Sequence, residues 1–243
     1  MSIIEIPPEK KIVMKKFGFS CDDIDESIPK PLPQSLNWFM LICGRPGAGK
    51  TSLILNLLAK RGKNYNQKFD KVYVFSPSLG TLKNNPFEAI PDDQMYTELN
   101  NEDLENILED MKDSGEKVCF LIDDCVNDIK KSTALQRTLC KILMNRRHLC
   151  GEGGSCSVML TTQVYNKIPA PVRKTASHVF LYHTRNKKEL ESIFDELILI
   201  PKEKYYEILK YTFDKKHNFL YIDIDKELDK MFHKNFNLLK FDI

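Results

Sequence analysis

Short apolar runs, separated by stretches with helical periodicity, recur along the chain. Each run has the length of a buried strand, and several are followed at once by glycine, serine or aspartate. The runs occupy residues 38–43, 71–75, 118–122, 157–162, 177–182 and 219–224. Because strands that alternate with helices form parallel sheets, the pattern predicts an α/β fold with a mostly parallel sheet and helices on both faces.

Helical periodicity fills the intervals between these runs. Apolar residues recur every three or four positions between residues 104 and 111 and again between 133 and 147. Further helices are expected from residue 50 to about 60, from near 187, and on both sides of the last strand. Residues 76–100 are predicted to form a long loop with short helical pieces.

The first apolar run leads directly into a glycine-rich segment with the spacing G-x-x-x-x-G-K-[ST]. Between a strand and a helix, such glycines let backbone N–H groups point at phosphate oxygens, and the helix directs its positive end at the same phosphates. An ordinary glycine turn is the alternative. The residues expected to bind the nucleotide are Gly44, Arg45, Pro46, Gly47, Ala48, Gly49, Lys50, Thr51 and Ser52.

Lys50 and Thr51 carry the chemistry of this loop. The ammonium group of Lys50 can reach the β- and γ-phosphates, and the hydroxyl of Thr51 can bind Mg²⁺. The segment therefore predicts a protein that binds a nucleoside triphosphate together with Mg²⁺, and ATP is the expected nucleotide.

Acidic and polar residues follow two later strands. Asp123 and Asp124 end the run at 118–122. An aspartate in this position holds the water shell of Mg²⁺ opposite Thr51, and a second acid can orient an attacking water; an acidic turn before a helix is the alternative. Gln163 follows the run at 157–162 and is predicted to sense the γ-phosphate or to position water, unless it only caps the strand.

The spacing of the motifs narrows the fold class. The strand at 71–75 lies in sequence between Asp123 and the glycine-rich segment at 44–51, which is called the P-loop below. This resembles the RecA-like, additional-strand P-loop ATPases, in which an extra strand separates the P-loop strand from the strand of the Mg²⁺-binding aspartate. Residues 36–243 are predicted to form a single P-loop ATPase domain, with 186–243 outside the motif-bearing core. Residues 1–35 are interpreted as an N-terminal extension.

Composition and charge restrict the class further. The 243 residues are 42% hydrophobic and 29% charged, which excludes a disordered protein. The net charge of +2 means that any basic surface is local. Seven cysteines, several of them in apolar runs, favour a reducing, intracellular compartment. No apolar run approaches the roughly 20 residues of a membrane-spanning helix, so none is expected.

The motifs occur in an order that looks like that of the genome-packaging ATPases of poxviruses and other large DNA viruses, including virophages. These ATPases belong to the HerA/FtsK superfamily of DNA motors. The resemblance covers roughly residues 38–185. It is carried by the P-loop, Asp123-Asp124, Arg146-Arg147-His148, Thr162-Gln163 and the stretch from Tyr165 to Lys174.

The resemblance implies an ATP-hydrolysing motor that forms a homo-oligomeric ring and translocates double-stranded DNA of any sequence into a preformed capsid. It implies that Lys50, Thr51 and Asp123 bind the nucleotide and Mg²⁺. It also places Asp124 at the catalytic acid position, where many relatives have glutamate, and Gln163 at the sensor position. A capsid component is the expected partner. The host cytoplasm or viral factory is the expected location, with the virion as a further one.

The same resemblance implies an arginine finger from a neighbouring subunit. Arg147 is the first candidate, with Arg146 and Arg173 behind it. An arginine supplied in this way stabilises the charge of the phosphoryl-transfer transition state. The alternative for Arg146 and Arg147 is a solvated helix end, where basic side chains favour the helix dipole.

Other functions stay open at this point. A cellular DNA pump or helicase-like ATPase shares the same chemistry, whereas a nucleoside or small-molecule kinase and a nucleotide-switched binding protein differ in the step after nucleotide binding. DNA-backbone contacts are expected from lysine and arginine, although short basic pairs are usually solvated surface. The candidates are Lys130-Lys131, Lys187-Lys188 and the loop at 151–155.

Overall fold

A nine-stranded sheet forms the centre of the computed structural model, which describes residues 23–58, 64–79 and 87–242. The strands are β1 (Phe39–Cys43), β2 (Lys71–Phe75), β3 (Met95–Tyr96), β4 (Lys117–Ile122), β5 (Ser155–Thr162), β6 (His178–Tyr182), β7 (Phe219–Asp223), β8 (Phe232–Lys234) and β9 (Asn237–Leu238). The helices are α1 (Lys50–Leu58), α2 (Asn101–Met111), α3 (Val126–Lys131), α4 (Thr133–Asn145), α5 (Ala170–Arg173), α6 (Lys187–Leu197), α7 (Lys202–Thr212) and α8 (Leu228–Met231).

The strands lie in the order β3-β2-β4-β5-β1-β6-β7-β8-β9. The first six strands in this spatial order, β3, β2, β4, β5, β1 and β6, are parallel to one another. Strands β7, β8 and β9 extend the sheet beyond β6 and are antiparallel. The prediction of a mostly parallel sheet is confirmed, and the six predicted strands differ from the observed ones by at most two residues at an end.

Strand β5 lies between the P-loop strand β1 and the aspartate strand β4. Leu160 of β5 is opposite Leu41 of β1 on one side and opposite Ile122 of β4 on the other. The additional-strand class is therefore confirmed. The strand that separates the two motifs is β5, however, and β2 pairs with the outer side of β4.

Alternating side chains of β1 serve two hydrophobic cores, one on each face of the sheet. Phe39, Leu41 and Cys43 pack in the core that is covered by helices α2 to α8. Met40 and Ile42 pack in the opposite core, which α1 covers. Helices thus lie on both faces, as predicted, but most of them lie on one.

The segment before β1 completes the second core. Ile28, Leu32 and Leu36 are buried there beside α1. The hydroxyl of Tyr65 donates to the carbonyl of Pro33 at 3.0 Å, and that of Tyr221 donates to the carbonyl of Pro31 at 3.2 Å. The described part of the predicted N-terminal extension, residues 23–35, therefore belongs to the core. Residues 1–22 lie outside the described residues.

The C-terminal end differs from the sequence-based prediction. The pattern predicts a helix after the strand at 219–224, but α8 has only one turn and is followed by the hairpin of β8 and β9. Phe232 and His233 pair with Ile222 and Tyr221 of β7 and are buried, so this segment extends the sheet. The predicted helix is present as the short α8, whereas the hairpin of β8 and β9 was not predicted. None of the helices in the described part of the chain is long and apolar enough to cross a membrane.

Candidate nucleotide-binding site

A cleft of about 730 Å³ lies at the carboxyl ends of the parallel strands. This is the edge where open α/β sheets bind ligands. The P-loop, both acidic residues after β4 and the glutamine after β5 line it together. The structure therefore brings the sequence-predicted nucleotide site into one cleft. The lining P-loop residues are Arg45, Pro46, Gly47, Ala48, Gly49, Lys50, Thr51 and Ser52.

Glycines shape the loop for two separate reasons. Gly47 and Gly49 have φ angles of 74° and 113°, which other residues rarely adopt. Gly44 lies at the base of the loop, where a Cβ atom would approach the Cβ of Tyr182 to 2.8 Å. A side chain at any of these positions would move the backbone that holds the phosphate-binding N–H groups.

The Lys50 ammonium is held against the loop. It donates to the carbonyl of Gly44 at 2.7 Å and approaches that of Arg45 at 3.4 Å. Lys50 is also the first residue of α1, so the N-terminal end of that helix opens onto the cleft. Positive charge from the side chain and from the helix end thus meets in one place, as the phosphates of a nucleotide require.

Two side chains from outside the motif contact carbonyl groups of the P-loop. The hydroxyl of Tyr182, at the end of β6, donates to the carbonyl of Gly49 at 3.2 Å. Nδ1 of His217, in the turn between α7 and β7, lies 2.9 Å from the carbonyl of Ala48. In a planar trans peptide the C=O and the following N–H point in opposite directions. Fixing these two carbonyls therefore orients the N–H groups of Gly49 and Lys50.

The Asp123 carboxylate is oriented by two hydroxyl groups. Oδ1 accepts a hydrogen bond from Thr161 at 2.6 Å, and Oδ2 accepts one from Ser76 at 3.2 Å. Thr161 belongs to β5 and Ser76 follows β2, and both residues are buried. Neither residue carries a signal in the sequence, because their role depends on which strands flank β4.

Asp124 has a left-handed backbone with φ of 57°. Its N–H donates to the Thr161 hydroxyl at 3.0 Å, and its Oδ2 accepts a hydrogen bond from Nε2 of Gln163 at 2.7 Å. Aspartate is among the few residues that enter this region of backbone space, and such conformations concentrate at functional sites. The predicted acid and the predicted sensor are therefore in direct contact at the mouth of the cleft.

The donor set on this side of the cleft suits Mg²⁺. The Thr51 hydroxyl and the Asp123 carboxylate supply hard oxygen atoms, and Asp124 adds a second carboxylate nearby. Mg²⁺ prefers oxygen ligands and is usually held by one or two carboxylates together with substrate phosphates. The residues present therefore fit the metal that the sequence predicts.

Arg146 and Arg147 lie at the opposite edge of the sheet. They line a second cleft with Trp38, Ser177 and His178, near the amino ends of β1 and β6. The Arg146 guanidinium donates to the carbonyls of Asn37 and Leu143. The structure therefore does not bring either arginine to the nucleotide cleft of its own subunit.

Arg173 is engaged inside the subunit. Its guanidinium donates to both carboxylate oxygens of Glu196, with 2.8 Å for the Nε bond, and to the Ile168 carbonyl at 2.8 Å. It also lies 5.3 Å from the ring centre of Tyr165. The bidentate bond from Arg173 lowers the pKa of Glu196. This placement favours a structural role, tying α5 to α6.

His217 and Tyr182 are two further site residues with little signal in the sequence. Tyr182 ends a predicted strand, which only hints at a residue at the carboxyl edge of the sheet. His217 lies in the tail that carries no motif, and only the antiparallel position of β7 beside β6 brings its turn to the P-loop.

Most of the chain matches a known protein family. The sequence model of the poxvirus A32 protein family matches residues 33–224. No curated protein sequence matches the chain.

Solved structures share the fold at low sequence identity. The DNA-packaging ATPase B204 of Sulfolobus turreted icosahedral virus is 19% identical, with a TM-score of 0.60 over 83% of this chain and 98% of that one. The genome-packaging NTPase B204 of Sulfolobus turreted icosahedral virus 2, in complex with sulfate, is 17% identical, with a TM-score of 0.59 over 85% and 100%. The pCW3 conjugation coupling protein TcpA is 14% identical, with a TM-score of 0.54 over 91% and 70%.

Proposed function

Because the chain belongs to the poxvirus A32 protein family, we propose that it is an ATP-hydrolysing motor that translocates double-stranded DNA into a preformed viral capsid. The membership confirms the resemblance to the packaging ATPases of poxviruses. One structural observation supports hydrolysis in particular. The P-loop, Asp123, Asp124 and Gln163 line a single cleft, with the acid and the glutamine in contact across β4 and β5.

The residues of the cleft divide the work of hydrolysis between them. The P-loop N–H groups and Lys50 bind the phosphates, while Thr51 and Asp123 hold Mg²⁺, which neutralises charge on the phosphate oxygens when bound. Asp124 accepts the proton of the attacking water, and Gln163 keeps that carboxylate in place through its amide. B204 of the second turreted virus has been solved with ATP-gammaS, a nucleotide of the same class.

We infer that a ring supplies each nucleotide cleft with an arginine from the neighbouring subunit. Arg146 and Arg147 lie at the amino edge of the sheet and the nucleotide cleft at the carboxyl edge. An arginine finger at residue 147 therefore acts between subunits, where it would stabilise the transition state of the neighbour's ATP. Such an arrangement couples hydrolysis to the geometry of the ring, as a DNA motor requires.

A DNA-dependent hydrolysis assay tests this function. We expect the full chain to release inorganic phosphate from ATP, faster per subunit at higher protein concentration and faster with duplex DNA of any sequence. DNA affinity should fall steeply with salt, because binding rests on phosphate contacts. Displacement of a third strand from a triplex then reports translocation.

The alternatives give different results in the same assay. A nucleoside kinase would transfer the γ-phosphate to a nucleoside, and a nucleotide switch would bind ATP without turnover. Turnover that is independent of DNA and of protein concentration, in protein shown to remain monomeric, would rule out the ring motor.

A further inference from the structure

The second cleft, about 900 Å³ in volume, holds three potential metal ligands that play no part in nucleotide binding. They are His178 at the start of β6, Asp223 at the end of β7 and Asp225 in the turn after it. One ligand atom from each lies within 4.8 Å of the others. His178 and Asp223 are paired directly across the antiparallel strands, which fixes their separation.

The His178 ring is held in place on two sides. Its Nδ1 lies 2.8 Å from the hydroxyl of Ser177, which in turn accepts the N–H of Phe39 at 3.0 Å. Its ring stacks on Tyr221 with a centroid distance of 6.0 Å. A hydrogen bond at one ring nitrogen that leaves the other nitrogen to the metal is the usual arrangement of a metal-binding histidine.

The remaining ring nitrogen faces Asp223 at a distance that suits a shared ion better than a hydrogen bond. Nε2 lies 3.6 Å from Oδ1 of Asp223, beyond the range of a hydrogen bond. Ligand atoms about 2.0–2.2 Å from one tetrahedral ion are about 3.3–3.6 Å apart. Both side chains are only 5% exposed, so the facing nitrogen and carboxylate are largely shielded from solvent.

We propose that His178, Asp223 and Asp225 form a divalent-metal site at the amino edge of the sheet, separate from the Mg²⁺ of the nucleotide. One nitrogen and two carboxylate ligands suit Mn²⁺ or Zn²⁺, with a coordination position open to the cleft. Asp225 is the exposed member of the three and lies in the turn after β7. The metal would tie β6 to the antiparallel extension.

The charged groups of the second cleft determine the affinity that we expect for the metal ion. Lys30, Arg146, Arg147, Lys226 and Lys230 also line it. These basic groups oppose a free cation, so binding should be moderate in affinity and should strengthen as salt screens them. A site of acidic residues alone would show the opposite dependence on salt, which gives the proposal a second readout.

Mn²⁺ is the probe of choice, because thiolates prefer softer metals and the chain contains seven cysteines. Loss of the free Mn²⁺ signal in electron paramagnetic resonance measures binding to the nucleotide-free full chain. We expect one bound ion, with nitrogen modulation in the spin-echo signal from His178. His178→Gln should remove that modulation, and Asp225→Ala, an exposed substitution that should preserve the fold, should weaken binding by about tenfold or more.

Two variants serve as controls. Glu227→Gln removes one negative charge from the same cleft without removing a ligand, and Asp123→Asn alters the Mg²⁺ site of the nucleotide cleft. Both should bind Mn²⁺ as the unmodified chain does. The proposal is overturned if no ion binds at about 1 mM, if Asp225→Ala binds as tightly as Glu227→Gln, or if Asp123→Asn abolishes the signal.

Discussion

Asp124 has a left-handed backbone and occupies the position of the catalytic acid, and its charge can be removed without changing the backbone. Asn tolerates the left-handed conformation as aspartate does, so Asp124→Asn changes the charge and leaves the turn intact. We expect ATP affinity to stay near that of the unmodified chain and turnover to fall by at least roughly 10²-fold, the scale of a lost general base. Equilibrium binding and steady-state phosphate release measure the two effects.

A second substitution tests the hydrogen bond that the Asp124 carboxylate accepts from Gln163. Gln163→Glu keeps the length of the side chain that contacts Asp124 but replaces the donor with a second carboxylate. Its turnover should also fall. Turnover of Asp124→Asn at the rate of the unmodified chain would place the base elsewhere.

His217 offers a second test at the scale of one hydrogen bond. An asparagine amide can place an N–H near the position of Nδ1 and also accepts the φ angle of 70° found at this residue. His217→Asn should therefore bind ATP nearly as the unmodified chain does. His217→Ala should bind it roughly two- to tenfold more weakly, the effect of one lost hydrogen bond.

The same measurement separates positioning from general stability. Thermal unfolding of both variants measures separately the cost of alanine at the left-handed φ of this residue, which asparagine tolerates. Equal ATP affinities for His217→Asn and His217→Ala would show that the contact with Ala48 does not position the P-loop.

Helices α5 and α6 are joined by the Arg173–Glu196 pair, which makes stability depend on pH. Arg173 lowers the pKa of Glu196 below its ordinary value of 4.5. The stabilisation is therefore complete above that value and is lost as the pH falls through the lower pKa of the folded state. We expect Glu196→Gln to be less stable than the unmodified chain near neutral pH, and the difference to shrink on acidification.

Urea unfolding at several pH values from neutral to acid measures this difference. Glu207→Gln is the control, since Glu207 pairs with Lys204 on the exposed surface of α7. Its stability should stay close to that of the unmodified chain throughout. A Glu196→Gln variant whose loss of stability is constant with pH would show that the pair acts through packing alone.

At the scale of the elements, the sequence predicts the longer strands and misses the shortest ones. Strands β1, β2, β4, β5, β6 and β7 are predictable because each has at least five residues and an apolar, buried centre. Strand β3 has two residues and β9 has two, too few to show a period. Local pattern is informative only over lengths that repeat it.

Only some residues of the nucleotide-binding site are predictable from the sequence. The P-loop, Asp123 and Gln163 follow strands and carry their signal in the sequence. Ser76, Thr161 and His217 do not, because each acts through a neighbour that only the order of strands in the sheet supplies. Arg173 resembles a finger in sequence, whereas its bidentate bond to Glu196 can be seen only in three dimensions.

The nucleotide cleft lies at the carboxyl ends of the strands and Arg147 lies near their amino ends, which makes the role of that arginine a question about assembly. A finger acts mainly in the transition state, so Arg147→Ala should retain ATP affinity and lose turnover. Arg137→Ala is the matched control, since Arg137 is an exposed arginine on α4 of the same subunit. Its turnover should be unchanged.

Mixing two inactive variants then decides how Arg147 acts. An Arg147→Ala subunit keeps an intact P-loop and Asp124, while a Lys50→Ala subunit keeps its arginine. If the finger crosses the interface, a mixed ring places an intact P-loop beside an intact arginine, and activity returns that neither variant shows alone. An internal role for Arg147 predicts no recovery, and so does an assembly that fails to mix. Native mass spectrometry of the mixture separates these two outcomes, because recovery must be absent in rings shown to contain both variants before the assignment to Arg147 is dropped.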